Sequence, residues 1–262
     1  MTPRELPVLI ERYRSELSAA AEPDPYLTSI GRRLSTHRFL CNCAQGVYRR
    51  QVSFLGKLLQ AYIGRPPPQI RVLDWGCGKG HITYLLRKLG FAVVSCDVDD
   101  GSFDSAFGQI APVVQEQAIE VVPLSDPVRL PFADASFDCV TSFGVLEHVP
   151  AEQESLHEIR RILTPGGIFF VSFLPYRLSW TQAFARLRGD SYHDRLYSRR
   201  HVLRIAERAR FSVESIWHAQ LFPKNSVPIE LDRHLEPIDR ALCRLTPLRY
   251  FATNLEVVLR AV

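Results

Sequence analysis

The sequence predicts an α/β protein built on a doubly wound parallel sheet, and three observations carry that expectation. Short apolar runs alternate with helical patterns between residues 70 and 175. A proline run separates this region from a helical first block, and an apolar strand runs straight into three closely spaced glycines. Alternating strand and helix patterns imply parallel strands joined by helices that cover the sheet.

The elements follow in order. Residues 7–21 and 48–63 read as helices, the second with Val52, Leu55, Leu58, Leu59, Tyr62 and Ile63 on one stripe. Gly64 ends that stripe, and Arg65-Pro66-Pro67-Pro68 makes a stiff connector, because proline fixes φ and lacks an N–H. The expected division is a helical cap with its proline-rich connector over 1–69 and a second unit over 70–262. Strands are expected at 71–75, 92–96, 137–142 and 168–174, with helices at 82–89 and 152–163. The latter helix aligns Leu156, Ile159, Ile162 and Leu163, and Thr164-Pro165-Gly166-Gly167 stops it. Residues 175–197 are rich in Arg, Tyr and Trp and show no clean period. Ser198 reads as the N-cap of a helix over 199–210, and 211–220 and 253–262 read as closing strands. The stretch between them, with four prolines, reads as an insertion; about 175–197 and 221–250 are the two expected substrate-cover insertions.

Composition narrows the class. The chain has 262 residues, 46% hydrophobic and 23% charged, which suffices for a sizeable core and excludes a disordered tail. The longest apolar run, residues 168–174, is interrupted by Ser172, far short of the roughly 18–20 apolar residues of a membrane span. The start, MTPRELPVLIERYR, lacks the cationic opening and apolar stretch of a signal peptide, so a cytoplasmic protein is expected. Cys41, Cys43, Cys77, Cys96, Cys139 and Cys243 form no C-x-x-C pair and read as reduced thiols; no metal is expected. The net charge of +4 divides into +5 over residues 1–69, −7 over 70–175 and +6 over 176–262. An acidic middle between basic flanks suggests different partners for the two parts.

The sharpest motif is Val72-Leu73-Asp74-Trp75-Gly76-Cys77-Gly78-Lys79-Gly80. Glycines there allow a tight turn and let a ligand lie against main-chain N–H groups at a helix N-terminus. Their every-second-residue spacing departs from the G-x-G-x-x-G of dinucleotide sites, which argues against a nicotinamide cofactor. Three motifs follow in order: Val93-Val94-Ser95-Cys96-Asp97; the stretch from Asp126 to Asp138 leading into Val145-Leu146-Glu147-His148-Val149; and Arg161-Ile162-Leu163-Thr164-Pro165-Gly166-Gly167.

On these motifs residues 70–174 resemble the class I S-adenosylmethionine-dependent methyltransferases, particularly the group that includes the ubiquinone and menaquinone biosynthesis methyltransferases. The resemblance implies a Rossmann-like sheet of seven strands, the last antiparallel, and S-adenosylmethionine as the cofactor, leaving S-adenosylhomocysteine. It implies that Gly76, Cys77, Gly78 and Gly80 line the methionine and ribose parts and that Asp74 orients the amino group. Asp97, with Val98 beside it, matches the acid that accepts both ribose hydroxyls. Ser125, Asp126 and Pro127 match the adenine side, Asp126 accepting from the exocyclic amine, and Phe143 falls beside the methionine moiety. Asp99 and Asp100 add negative potential nearby.

The acceptor side is less defined. His148 and His193 are the candidate bases, and methyl transfer requires one only when the nucleophile starts as a weak acid. Arg38, Arg49, Arg50, Arg177, Arg186, Arg188 and Arg195 are placed to face an anionic acceptor, with Trp180, Phe184 and Tyr192 as walls. No Asn-Pro-Pro-Tyr or Asp-Pro-Pro-Tyr tetrapeptide occurs, so nucleic acid is not an expected partner. The expected activity is methylation, most simply O-methylation, of a metabolite, sugar or lipid-linked precursor. A noncatalytic cofactor-binding subunit and a nicotinamide-dependent oxidoreductase are the competing readings. Peripheral membrane contact stays compatible with this sequence; oligomeric state is not legible in it.

Overall fold

The computed structural model describes residues 5–16, 22–99, 105–107, 111–189 and 193–262. Three helices open the chain: α1 (Leu6–Ser15), α2 (Pro25–Arg33) and α3 (Cys43–Ile63). The alternating part follows as β1 (Arg71–Trp75), α4 (His81–Lys88), β2 (Ala92–Val98), α5 (Pro112–Glu116), β3 (Val121–Leu124), β4 (Phe137–Phe143), α6 (Glu152–Ile162) and β5 (Leu163–Pro175). The chain closes with α7 (Trp180–Leu187), α8 (Arg199–Arg208), β6 (Phe211–Ala219), α9 (Asp232–Leu245) and β7 (Asn254–Ala261). Among the described residues, no helix is long and apolar enough to cross a membrane.

The strands form one seven-stranded sheet in the order β3-β2-β1-β4-β5-β7-β6. The first five pair in parallel, and β7 runs antiparallel to both β5 and β6. The strands are apolar on both faces because both faces are covered. Alternation along β5 sends Phe169 and Val171 into a core with α6 and α8, through Leu156, Ile159, Val202 and Ile205. Ile168 and Phe170 point the other way, into a core with the first block and α4. There Phe54 of α3 packs at 5.8 Å from the Phe170 ring and 5.6 Å from Trp217. The helices α1, α2 and α3 therefore share one apolar core with the sheet.

Local chemistry sets the boundaries. Gly64 takes φ +71° and its N–H returns to the Gln60 carbonyl, closing α3. Asp138 at the start of β4 accepts from the Arg65 guanidinium and from Arg71 N, tying the connector to the sheet. Two helices lie where none was expected. In α2 Asp24 is an N-cap accepting from Leu27 N at 3.0 Å, with Pro25 in the first turn. In α7 Ser179 caps Gln182 N, and Trp180, Ala183, Phe184 and Leu187 share one helical stripe, though the helix buries none of them. The Pro-Gly-Gly turn after α6 also differs from expectation. β5 already starts at Leu163, paired with Phe137, and the turn becomes a register shift within the β4–β5 ladder.

Candidate active site

In a sheet of this order the chain reverses direction between β1 and β4, and the carboxyl ends of the strands there leave a crevice. A cavity of about 910 Å³ occupies it. Its walls come from the loop after β1, the end of β2, the end of β3 and the turn after β4, with Phe39 and Tyr48 contributed by the first block and Asn225 by the late insertion.

The glycine loop has the backbone that its sequence demands. Gly76, Gly78 and Gly80 take φ of +68°, +48° and +77°, where a side chain is strained. A Cβ on Gly76 would also lie 2.6 Å from Val145 Cγ2, so the close approach of the β1 and β4 loops needs glycine. Gly76 N and Cys77 N both donate to the Cys96 carbonyl, which pins the loop to β2. Asp97 closes the arrangement: its carboxylate accepts from Gly78 N at 2.7 Å, Val98 N at 2.8 Å and Ala106 N at 3.2 Å.

Beneath the loop Asp74, 1% exposed, accepts from Thr83 Oγ1 at 2.6 Å and Thr141 Oγ1 at 3.2 Å. Burial pushes its carboxyl up to about 6 against the lowering effect of those two hydroxyls, and Asp97 raises it further. With Asp99 these acids give the cavity a negative wall. Lys79 at the rim donates to the Thr36 carbonyl at 3.3 Å and lies over the Phe39 ring.

Phe39, Tyr48, Phe143, Val145, Val149 and Pro150 add an aromatic and aliphatic part to the wall, and His148 also lines it. His148 Nδ1 stands 3.2 Å from Asp194 Oδ2. Behind it Glu147, 2% exposed, has its carboxyl raised to about 7 by burial. His81 is also on the wall, edge-on to Tyr48 at 4.5 Å; burial lowers its imidazole to about 3, so it is neutral.

The residues singled out in the sequence divide clearly. Asp74, Gly76, Cys77, Gly78, Asp97, Val98, Ser125, Pro127, Phe143 and His148 line the cavity. Gly80 lies behind the loop against Val114, and His193 stands behind His148. Asp126 turns its carboxylate to its own loop, accepting from Val128 N and Arg129 N, and is fully exposed. Arg195 donates to the carbonyls of Val149 and Pro150, so it holds the cavity wall rather than facing into it. Arg38 and Arg177 are not on the wall, Trp180 donates to the Leu221 carbonyl, and Arg50 is buried against Asp232. Tyr192 and Asp100 lie outside the described residues. Phe39, Tyr48, His81 and Asn225 were not singled out. The first two sit in the block read as a helical cap, Asn225 in an expected substrate-cover insertion, and His81 directly follows the glycine loop.

Comparison with known proteins agrees with this geometry. Residues 73–171 match the methyltransferase domain model Methyltransf_11. A ubiquinone biosynthesis O-methyltransferase from Caulobacter sp. strain K31 is 32% identical over 114 residues, 42% of this chain and 44% of that protein. A demethylmenaquinone methyltransferase from Beutenbergia cavernae is 38% identical over 106 residues, 40% of this chain and 41% of that protein. The chain thus spans about half or less of the curated relatives that it matches. Among solved structures, an S-adenosylmethionine-dependent methyltransferase from Mesorhizobium loti superposes with a TM-score of 0.51 at 17% identity, covering 80% of this chain and 99% of that one. One from Methanosarcina mazei gives 0.52 at 16% identity over 73% and 92%. The glycine loop and its acids at the switch point, the sheet order with its antiparallel β7, and these likenesses lead to one conclusion: residues 73–171 carry a methyltransferase domain, on a sheet with the fold of the class I S-adenosylmethionine-dependent methyltransferases.

Proposed function

We propose that the chain binds S-adenosylmethionine in this cavity and transfers its methyl group to a small, predominantly apolar acceptor, most simply at oxygen. The observation that carries the reading is one cavity with two kinds of wall. The glycine loop and Asp74, Asp97 and Asp99 suit a cationic nucleoside ligand, and Phe39, Tyr48, Phe143 and Val149 add an aromatic and aliphatic lining. When bound there, S-adenosylmethionine supplies an electrophilic methyl carbon. Asp97 holds the loop and with Asp74 adds negative charge, and Phe39, Tyr48, Phe143 and Val149 exclude water and orient an acceptor. Among the described residues no arginine lines the cavity, which favours a neutral acceptor over an anionic one. The O-methyltransferase name of the Caulobacter relative supports oxygen as the target.

The test is S-adenosylhomocysteine formation by the isolated chain with a panel of hydroquinones, phenols and alcohols, beside calorimetric titration of the cofactor. Turnover with at least one neutral acceptor is expected. Binding without turnover across the panel would favour the noncatalytic reading, and stabilisation by a nicotinamide cofactor alone would defeat both.

Cofactor affinity is expected to fall as pH falls through about 6, the value of Asp74. Below it the carboxyl is protonated and neutral, so a cationic ligand loses a counter-charge. If only the ionised form binds, affinity at pH 5 is about tenfold weaker than at pH 7. Calorimetry across that range should show the slope, and Asp74→Asn should flatten it. An unchanged slope in that variant would assign the titration to another group.

A further inference from the structure

Glu147 and His148 stand in the turn after β4, and His193 in the segment that enters α8, 45 residues later in the chain. The fold brings one ligand atom of each within 4.8 Å of the others. His148 Nε2 lies 3.9 Å and His193 Nδ1 3.8 Å from Glu147 Oε1. Ligand atoms held at about 2.1 Å from one ion stand no more than about 4.2 Å apart, so both separations fit a shared ion with small side-chain adjustment.

Two further observations point the same way. Glu147 Oε2 and His193 Nδ1 are buried without a hydrogen-bond partner, and Glu147 is almost fully enclosed. A buried polar atom with no partner is costly, and a cation held by the Glu147 carboxylate gives His193 Nδ1 one. Secondly, the His148 Nδ1 contact with Asp194 Oδ2 at 3.2 Å leaves Nε2 as the free donor atom toward Glu147. A carboxylate behind a ligating imidazole is the usual means of fixing the tautomer and the ring orientation of a metal ligand. The two loops are also fastened together: Tyr197 Oη donates to the Leu146 carbonyl at 3.1 Å, and Arg195 holds the carbonyls of Val149 and Pro150.

We propose that Glu147, His148 and His193 form a three-ligand site for a first-row divalent metal ion, zinc by its donor set, at the wall of the cavity. Two imidazoles and a carboxylate suit zinc and its neighbours rather than magnesium or calcium, which prefer all-oxygen sites. Three protein ligands leave at least one coordination position open. His148 is also part of the cavity wall, so an acceptor oxygen is the ligand that fits the open position. That last step rests on the methyltransferase reading above; ion binding does not.

The test titrates the metal-free full chain with Zn2+ by calorimetry and with Co2+ by visible absorption, and titrates S-adenosylmethionine separately into the same protein. One equivalent of Zn2+ should bind, and Co2+ should give the absorption of a four- or five-coordinate ion. The isosteric Glu147→Gln and the partly exposed His193→Ala should each weaken binding at least a hundredfold, and Asp194→Asn about tenfold to a hundredfold. Thermal melts of the metal-free variants check the fold. Absence of stoichiometric binding overturns the site, as does affinity retained in both Glu147→Gln and His193→Ala. Metal binding without cofactor binding would leave the site standing and remove the methyltransferase reading; the converse would do the opposite.

Discussion

Asp97→Ala should weaken S-adenosylmethionine binding strongly while leaving a folded protein. The carboxylate does two things at once. It holds the N–H groups of Gly78, Val98 and Ala106, which shapes the glycine loop, and it lines the cavity. A hydrogen bond to a charged group contributes about 1.5–3 kcal/mol, so losing the loop's anchor or one bond toward the ligand weakens binding by about 10-fold to more than 100-fold. Asp97→Asn keeps the shape but loses charge and acceptor capacity, and should fall between the parent and the alanine variant. Calorimetry with S-adenosylhomocysteine as a second ligand separates loop damage from loss of sulfonium attraction. If the alanine variant bound within about fivefold of the parent, the ribose role assigned to Asp97 would be wrong.

The largest stability effect is expected at Arg50→Ala. Arg50 in α3 and Asp232 at the start of α9 form a buried bidentate pair, one contact of which is 3.1 Å long. A Cβ on Gly46 would overlap the Asp232 carboxylate, so the helix leaves a notch for the acid. Removing the guanidinium strands the carboxylate in that notch, which costs about 3–5 kcal/mol. For a chain of this size that lowers the melting temperature by about 6–20 °C. Replacing both partners together, Arg50→Met with Asp232→Leu, should restore most of the loss, because no charge is then left unpaired. A double variant as unstable as Arg50→Ala would show that packing, not charge, sets the effect.

What the sequence made legible is what local chemistry encodes. The glycine loop, the acid ending β2 and the two-sided apolar strands are each dictated by neighbours within a few residues, and they sit where the motifs placed them. The helix α2 had a readable signal too, since Asp24-Pro25 is a cap followed by a first-turn proline. Less legible were features made by packing across the chain. Phe39 and Tyr48 reach the cavity because α3 lies over the sheet, and no spacing within the first block encodes that. The basic flanks drew attention as an anion-facing surface, yet Arg50 and Arg195 are spent on a buried carboxylate and on loop carbonyls. Charge counts cannot tell a guanidinium that faces a ligand from one that ties the chain together. The Glu147, His148 and His193 cluster is of the same kind, since its third member arrives from another loop.

The seam between the first and last parts of the chain bears on how the protein is made. Cys43 N donates to the Val227 carbonyl at 2.8 Å, Arg14 lies 4.5 Å over the Trp217 ring, and Arg244 pairs with Glu11. Some partners of α1 and α3 are therefore among the last to be synthesised. At roughly 5–20 residues per second, α3 waits about ten to thirty seconds for β6 to follow it. Throughout that interval the longest helix lacks part of what covers its apolar stripe. A nascent chain of this design spends its exposed period early, and pairings of such long sequence separation are slow to close.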